Sequence, residues 1–210
     1  MNGVLFDLDG VLIDTETTYC KHWAEMDRLY PTGIPDFAMY IKGTTLPEIL
    51  QLFKDESVHA DIERRLIEFQ DSMEFPIYPG VEDFLKELKR RGIPAAIVTS
   101  SDKRKMEKLY AQHPGFSDYF DAIVDASMVT HSKPDPEPYL IGAKLLGLDP
   151  KDCFVFEDSM QGVRAGRASG AHVIGLTTTY PAERIAEFSD IVIPGLADFT
   201  VDKMLSLKNG

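Results

Sequence analysis

The sequence predicts an α/β fold: a mainly parallel sheet with helices on both faces, interrupted near its start by an all-helical insertion. Three observations carry this. Apolar runs of strand length recur along the chain, segments with helical spacing alternate with them, and from about Asp14 to Pro79 only the helical patterns persist. Alternation of strands and helices points to parallel pairing, because each crossover helix returns the chain to the sheet edge it left.

In chain order, the first strand is VLF, which stops at Asp7. The insertion follows. TETTYCKHWAEMDRLY and VHADIERRLIEFQDSM place apolar residues at helical intervals, and LPEILQLF opens with an early proline suited to a first helical turn. YPG, at Tyr78 to Gly80, marks the return to alternation. VEDFLKELKRRG then sets Val81, Phe84, Leu85 and Leu88 on one helix face and ends at a glycine. IPAAIV is the next strand, DAIV at 121 to 124 another, and PYLIGAKLLGL a helix after it. CFVF, AHVIGL and DIVI complete the strands. Residues 1–13 and 80–210 therefore form the expected core, and 14–79 the inserted helical domain. Gly162, Gly166 and Gly170 recur every four residues, which reads as a helix lying close to the sheet.

Charge narrows the partners. Lys and Arg number 22 against 34 Asp and Glu, a net charge of −12. With no basic run to offset that balance, neither nucleic acid nor an anionic membrane is an expected partner. A phosphorylated metabolite is still compatible, because charge is screened over about 8 Å at physiological salt and local groups decide recognition. No apolar stretch approaches the roughly 18 residues of a spanning helix. The chain also enters VLFDLDG without a signal-like segment, so a cytoplasmic protein is expected. Cys20 and Cys153 are too few for a disulfide framework or zinc cluster.

The strand ends carry the chemistry. VLF leads to Asp7 and Asp9, IPAAIV to Thr99, and CFVF to Glu157 and Asp158. The carboxyl ends of parallel strands open on one edge, so these residues would share one crevice. Gathered carboxylates resist ionisation unless a cation joins them, and an all-oxygen set suits magnesium. Each residue also has a plainer reading. Asp9-Gly10 is good turn chemistry, Asp14 reads as the cap of the next helix, Thr99 could cap the helix beginning in SDKRKMEKL, and Asp158 with Gln161 could form a capping box. Lysine before proline is an ordinary loop residue, and Lys103, Arg104 and Lys105 read as a solvated helix face.

FDLDGVLIDTE, VTSSD, SKPDPEPY and FEDSMQGVRAGRASG, in this order, resemble the four motifs of the haloacid dehalogenase superfamily. The closer likeness is to its phosphatase and beta-phosphoglucomutase-like branch, and it spans nearly the whole chain. That resemblance implies a Rossmann-like core with a helical cap after the first motif. It implies that Asp7 is a nucleophile forming an aspartyl phosphate and that Asp9 is the general acid and base. It implies further that Thr99, with Ser100 and Ser101, meets phosphate while Lys133 balances charge. Mg2+ would be held by Asp7, Asp9 (through its backbone carbonyl), Glu157 and Asp158.

The insertion would select the substrate. IKGTT resembles the segment that meets substrate in that branch, which nominates Lys42, Thr44 and Thr45. Two departures weigh against a mutase. Leu46 stands where the sugar mutases carry an arginine for a distal phosphate, and Tyr19 where they carry a histidine. The expectation is a magnesium-dependent phosphatase acting on a small phosphorylated metabolite, of sugar-phosphate type, as a monomer with oligomers left open. A sugar phosphomutase is the alternative, and an inert binding protein a third.

Overall fold

The computed structural model describes residues 2–209, so the ends of the expected core, Met1 and Gly210, lie outside the described residues. Its centre is a parallel sheet of β1 (Gly3–Phe6), β2 (Ala95–Val98), β3 (Ala122–Val124), β4 (Cys153–Glu157), β5 (His172–Leu176) and β6 (Ile191–Ile193). The order is β3-β2-β1-β4-β5-β6, with every neighbouring pair parallel. The chain leaves β1 toward β2 on one side and later places β4 on the other. The strand order thus reverses at β1, the point where an open α/β sheet forms its ligand crevice.

Successive strand residues point to opposite faces, and each face is buried. Val4 and Phe6 of β1 join one core with Phe84, Leu85 and Leu88, whereas Leu5 joins the opposite core with Tyr139, Ala143 and Val163. In chain order the helices are α1 (Glu16–Leu29), α2 (Phe37–Tyr40), α3 (Leu46–Gln51), α4 (His59–Ser72), α5 (Val81–Arg90), α6 (Lys103–Gln112), α7 (Glu137–Leu145), α8 (Met160–Ser169), α9 (Ala182–Ile185) and α10 (Val201–Ser206). α2, α9 and α10 were not legible as elements, because each is too short or too weakly patterned to show a period. Among the described residues no helix is long and apolar enough to cross a membrane.

Helices α1 to α4 bury a cluster of their own, with Trp23, Met26, Phe37, Ile49, Phe53, Ile62 and Leu66 at its centre. Two short extended stretches join this segment to the sheet and pair with each other. Asp14 N–H donates to Pro76 at 2.8 Å and Tyr78 N–H to Leu12 at 3.0 Å. This pairing corrects the reading of Asp14. Its carboxylate accepts the Tyr78 hydroxyl at 3.0 Å, and Thr15, one residue on, holds the N-cap position of α1.

Candidate active site

The site grows from the carboxyl edge of the sheet. Asp7 N–H still donates to Phe156 at 3.0 Å and Thr99 N–H to Val124 at 2.9 Å, so both residues continue the ladder one step beyond their strands. Strand pairing thereby fixes where their side chains begin. After Asp9 the chain turns sharply at Gly10, whose φ of +79° is a left-handed conformation. A Cβ there would lie 2.0 Å from the Asp158 carboxyl, so the absence of a side chain lets Asp158 press against this turn.

Behind Asp7 stands Lys133, 1% exposed. Its ammonium donates to Asp7 Oδ1 at 2.6 Å, Glu157 Oε1 at 2.7 Å and the Val98 carbonyl at 3.1 Å, which uses all three of its hydrogens. Burial alone would favour the neutral amine, but the Asp7 and Glu157 charges outweigh it and raise the pKa. The plainer alternative, a solvated loop lysine, is set aside by this burial.

Glu157 is wholly enclosed. Oε1 accepts from Lys133 and from the Tyr139 hydroxyl at 2.8 Å. Oε2 accepts from the backbone N–H of Asp158 at 3.0 Å, that of Ser159 at 2.9 Å, and the Ser159 hydroxyl at 3.0 Å. The N-cap of α8 is Ser159, whose oxygen receives Gly162 N–H at 3.0 Å, rather than Asp158 with Gln161. Asp158 is thus relieved of capping.

Asp7, Glu157 and Asp158 each offer a carboxylate oxygen, and these lie within 4.8 Å of one another. Burial, opposed by Lys133 and reinforced by Glu157, pushes the Asp7 carboxyl up to about 7. Burial and the charges of Glu157 and Asp7 raise Asp158 well above the carboxylate range. Ionised together, these carboxylates would carry more negative charge than the lysine cancels, and a hard divalent cation that displaces their protons fits such an all-oxygen cluster.

Asp9 behaves oppositely. Its burial would raise the pKa, yet the Lys105 ammonium, the Thr15 hydroxyl and the Ser101 hydroxyl at 3.0 Å together lower it. Lys105 is 3% exposed, lies 4.3 Å above the Tyr19 ring and ion-pairs with Asp9. This corrects the solvated-face reading for Lys105 alone, since Lys103 and Arg104 are exposed as expected. Lys105 shares the inward face of α6 with Met106 and Leu109, and that i, i+1, i+4 spacing was the signal available in the sequence.

The remaining expected residues divide. Thr99 is buried, and its oxygen accepts Ser101 N–H at 3.0 Å, which leaves the hydroxyl hydrogen to donate elsewhere. The N-cap of α6 is Asp102 rather than Thr99 or Ser101. Ser100 donates its hydroxyl to the Gly43 carbonyl at 3.0 Å, a tie to the helical segment. Lys42 faces Asp158 and Asp9, whose charges oppose the lowering of its pKa by burial. Thr44 turns its hydroxyl to Ile41, and Thr45 caps α3 in a box with Glu48. Glu48 also receives the Ser132 hydroxyl from the sheet side.

Between the sheet edge and the helical segment lies a cavity of about 650 Å³. Asp7, Asp9, Thr99 and Asp158 line it on the sheet side, and Trp23 and Leu66 line it from the helical segment. Lys42, Thr44, Thr45 and Ser100 also border it.

The chain is similar to known proteins in sequence and in fold. A family model described as haloacid dehalogenase-like hydrolase matches residues 1–170. Hexitol phosphatase A of Escherichia coli is 33% identical over 212 residues, covering 96% of this chain and 94% of that protein. Fructose-1-phosphate phosphatase YqaB of Escherichia coli is 33% identical over 180 residues, covering 82% and 94%. In fold, the chain resembles the crystal structure of beta-phosphoglucomutase from Clostridium difficile, with a TM-score of 0.84, 23% identity, and coverage of 100% of this chain and 97% of that one.

Proposed function

We propose, from the premise that this chain belongs to the haloacid dehalogenase-like hydrolase family, that it is a magnesium-dependent phosphatase of sugar or polyol monophosphates. The observation that carries this reading is Lys133 held between Glu157 and Asp7, the latter a carboxylate that lines the cavity. Residues 14–79 act as the cap over a core of residues 1–13 and 80–210. The cap meets the core through Ser100 and Gly43, through Ser132 and Glu48, and through the Tyr180 hydroxyl on the Met39 carbonyl at 2.8 Å.

Asp7, Asp158 and the backbone carbonyl of Asp9 are the residues that would hold Mg2+, which when bound offsets charge between the carboxylates and the incoming phosphate. Glu157, expected as a further ligand, has both oxygens committed to donors, and we assign it to fixing Lys133.

In the first half-reaction an Asp7 oxygen attacks phosphorus, the bond from phosphorus to the alcohol oxygen breaks, and that oxygen takes a proton from Asp9. In the second, water attacks the aspartyl phosphate, Asp9 removes its proton, and Asp7 is regenerated with release of orthophosphate. Lys133 keeps Asp7 aimed, and the Thr99 hydroxyl donates to a phosphate oxygen. Asp9 bound to Lys105 is ionised, the form that serves the second half. It must leave Lys105 and take up a proton to serve the first.

The mutase alternative needs a second anion clamp. Among the described residues no arginine lines the cavity, and its lysines, Lys42 and Lys105, face Asp9 and Asp158. The test is orthophosphate release from a panel of hexitol and ketohexose monophosphates with Mg2+, using wild type beside Asp7→Asn. Turnover in the wild type and its loss by about 10³-fold or more in the variant are expected. A folded, metal-binding wild type silent on the whole panel would overturn the reading, and isomer interconversion with a bisphosphate primer would establish the mutase instead.

A further inference from the structure

The cap wall of the cavity carries an ionised carboxylate that phosphoryl transfer does not use. Glu48, in the first turn of α3, lines the cavity and is partly exposed. Its Oε2 accepts the Thr45 N–H at 3.0 Å, the Thr45 hydroxyl at 2.7 Å and the Ser132 hydroxyl. All three donors are neutral, so they orient the charge without cancelling it. Burial opposes ionisation, but those bonds outweigh it and lower the pKa. The other oxygen, Oε1, takes no donor from the described residues, yet it is not sealed from solvent. Among the described residues no lysine or arginine pairs with Glu48. On the cavity wall Lys42 faces Asp158 and Asp9, and Lys105 binds Asp9. Ser132 precedes Lys133, which holds Asp7, so the Ser132 bond fixes the Glu48 charge relative to the phosphoryl end of the cavity.

We propose that Glu48 is a specificity-determining residue whose negative charge admits an alcohol half ending in hydroxyls and rejects one that carries a second anionic group. The phosphoryl group is bound at Asp7, so the remainder of the substrate extends toward the cap wall, where Glu48 stands. A hydroxyl there is compatible with an ionised acceptor. A carboxylate or second phosphate there meets a like charge in a partly enclosed space, where repulsion is stronger than in bulk water, and repulsion of the wrong ligand is an effective source of specificity. A space of about 650 Å³ spans little more than the screening length of about 8 Å at physiological salt, so the charge is felt across it. Asp102 also lines the cavity, on the core side, so the share of Glu48 is read from its own variant. This inference rests on the sugar-phosphate phosphatase reading above and names what that site refuses.

The test compares kcat/KM at saturating Mg2+ for two pairs of esters that exchange a CH2OH group for a carboxylate: sorbitol 6-phosphate against 6-phosphogluconate, and glycerol 3-phosphate against 3-phosphoglycerate. Wild type is set beside Glu48→Gln, in which glutamine keeps the capping box with Thr45 and only the charge is lost. In wild type the neutral ester of a pair is preferred by about 10-fold or more, and in Glu48→Gln that preference shrinks by about 5-fold or more. Each ratio is taken within one protein and is independent of how much of it is folded. A structural role for Glu48 would lower both members of every pair alike, and an unchanged ratio in Glu48→Gln overturns the proposal. Should that variant fail to fold, the wild type decides alone in KCl raised to about 0.5 M, where screening narrows a preference that rests on charge. No preference for the neutral esters, or one indifferent to salt, then overturns the proposal. Hydrolysis of acetyl phosphate without turnover of either neutral ester also overturns it and leaves phosphoryl transfer to Asp7 standing. Inactivity on acetyl phosphate and every other ester overturns the phosphatase reading with it.

Discussion

The ammonium of Lys105 reaches both carboxylate oxygens of Asp9 across 96 positions of sequence. Burial pushes the Asp9 carboxyl toward its neutral form, and Lys105, with help from Thr15 and Ser101, reverses that push. A lysine on the face of α6 thus decides the charge of a residue on the loop after β1.

Removing the cation tests this directly. In Lys105→Met, burial is left unopposed by charge and the Asp9 pKa rises. If Asp9 works as the base of the second half-reaction, the acidic limb of the kcat profile moves to higher pH by about one unit or more, and kcat falls further at pH 6 than at pH 8. Lys105→Arg restores part of the limb. A profile that merely scales down at every pH is incompatible with this role.

Much of the architecture was legible because buried parallel strands are written as unbroken apolar runs, as in CFVF before Glu157. The convergence of Asp7, Thr99 and Asp158 was legible for a related reason: parallel strands deliver their ends to one edge, whereas Lys133, nine residues beyond β3, was nominated by the motif resemblance. Two things were not. Asp14 and Thr15 exchange roles because capping depends on where the backbone turns helical, a matter of one residue. The burial of Lys105 depends on which face of α6 meets α1.

Glu157 and Asp158 are adjacent acids with different neighbours, so their neutral amides have different consequences. Asp158→Asn removes a carboxylate from the cation cluster and weakens Mg2+ binding by about 10-fold or more. Glu157→Gln keeps the shape but exchanges an acceptor of Lys133 for an amide. Its kcat falls by about 10- to 100-fold while Mg2+ affinity changes much less. Titration of Mg2+ against kcat separates the two, and equal losses of metal affinity would return Glu157 to the set of ligands.

Asp7 also makes the metal-free protein sensitive to pH. A carboxyl raised from 3.8 to about 7 keeps its proton in the native state at pH values where the unfolded chain has lost it. Its contribution to stability is therefore present below about pH 4 and lost as the pH rises through about 7. Asp7→Asn resembles the protonated form and has nothing to lose. In EDTA-containing buffer the Tm of Asp7→Asn minus that of wild type should grow by about 5 °C between pH 5 and pH 8. A difference that stays flat across that range contradicts the raised pKa, and Mg2+ added to the wild type should recover part of the deficit at pH 8.

Gly162→Ala sets two effects of opposite sign against each other. Alanine is the better helix former by about 1 kcal/mol, and Gly162 lies inside α8, so propensity alone predicts stabilisation. A Cβ at this position, however, would lie 1.8 Å from the Glu157 carboxyl, a group held from both ends by Lys133, Tyr139, Ser159 and two backbone donors. It cannot swing aside without breaking several of those bonds at once, each worth about 0.5–1.5 kcal/mol, or more where Lys133 is the donor. The clash therefore outweighs propensity. Gly162→Ala should be destabilised by about 2 kcal/mol or more and should lose activity by about 100-fold as Lys133 shifts from Asp7. The glycine was legible as a close-packing residue. Its contact is a carboxylate tied to the nucleophile, so chemical denaturation and kcat must fall together, and a variant as stable as wild type would show that α8 can move away from β4.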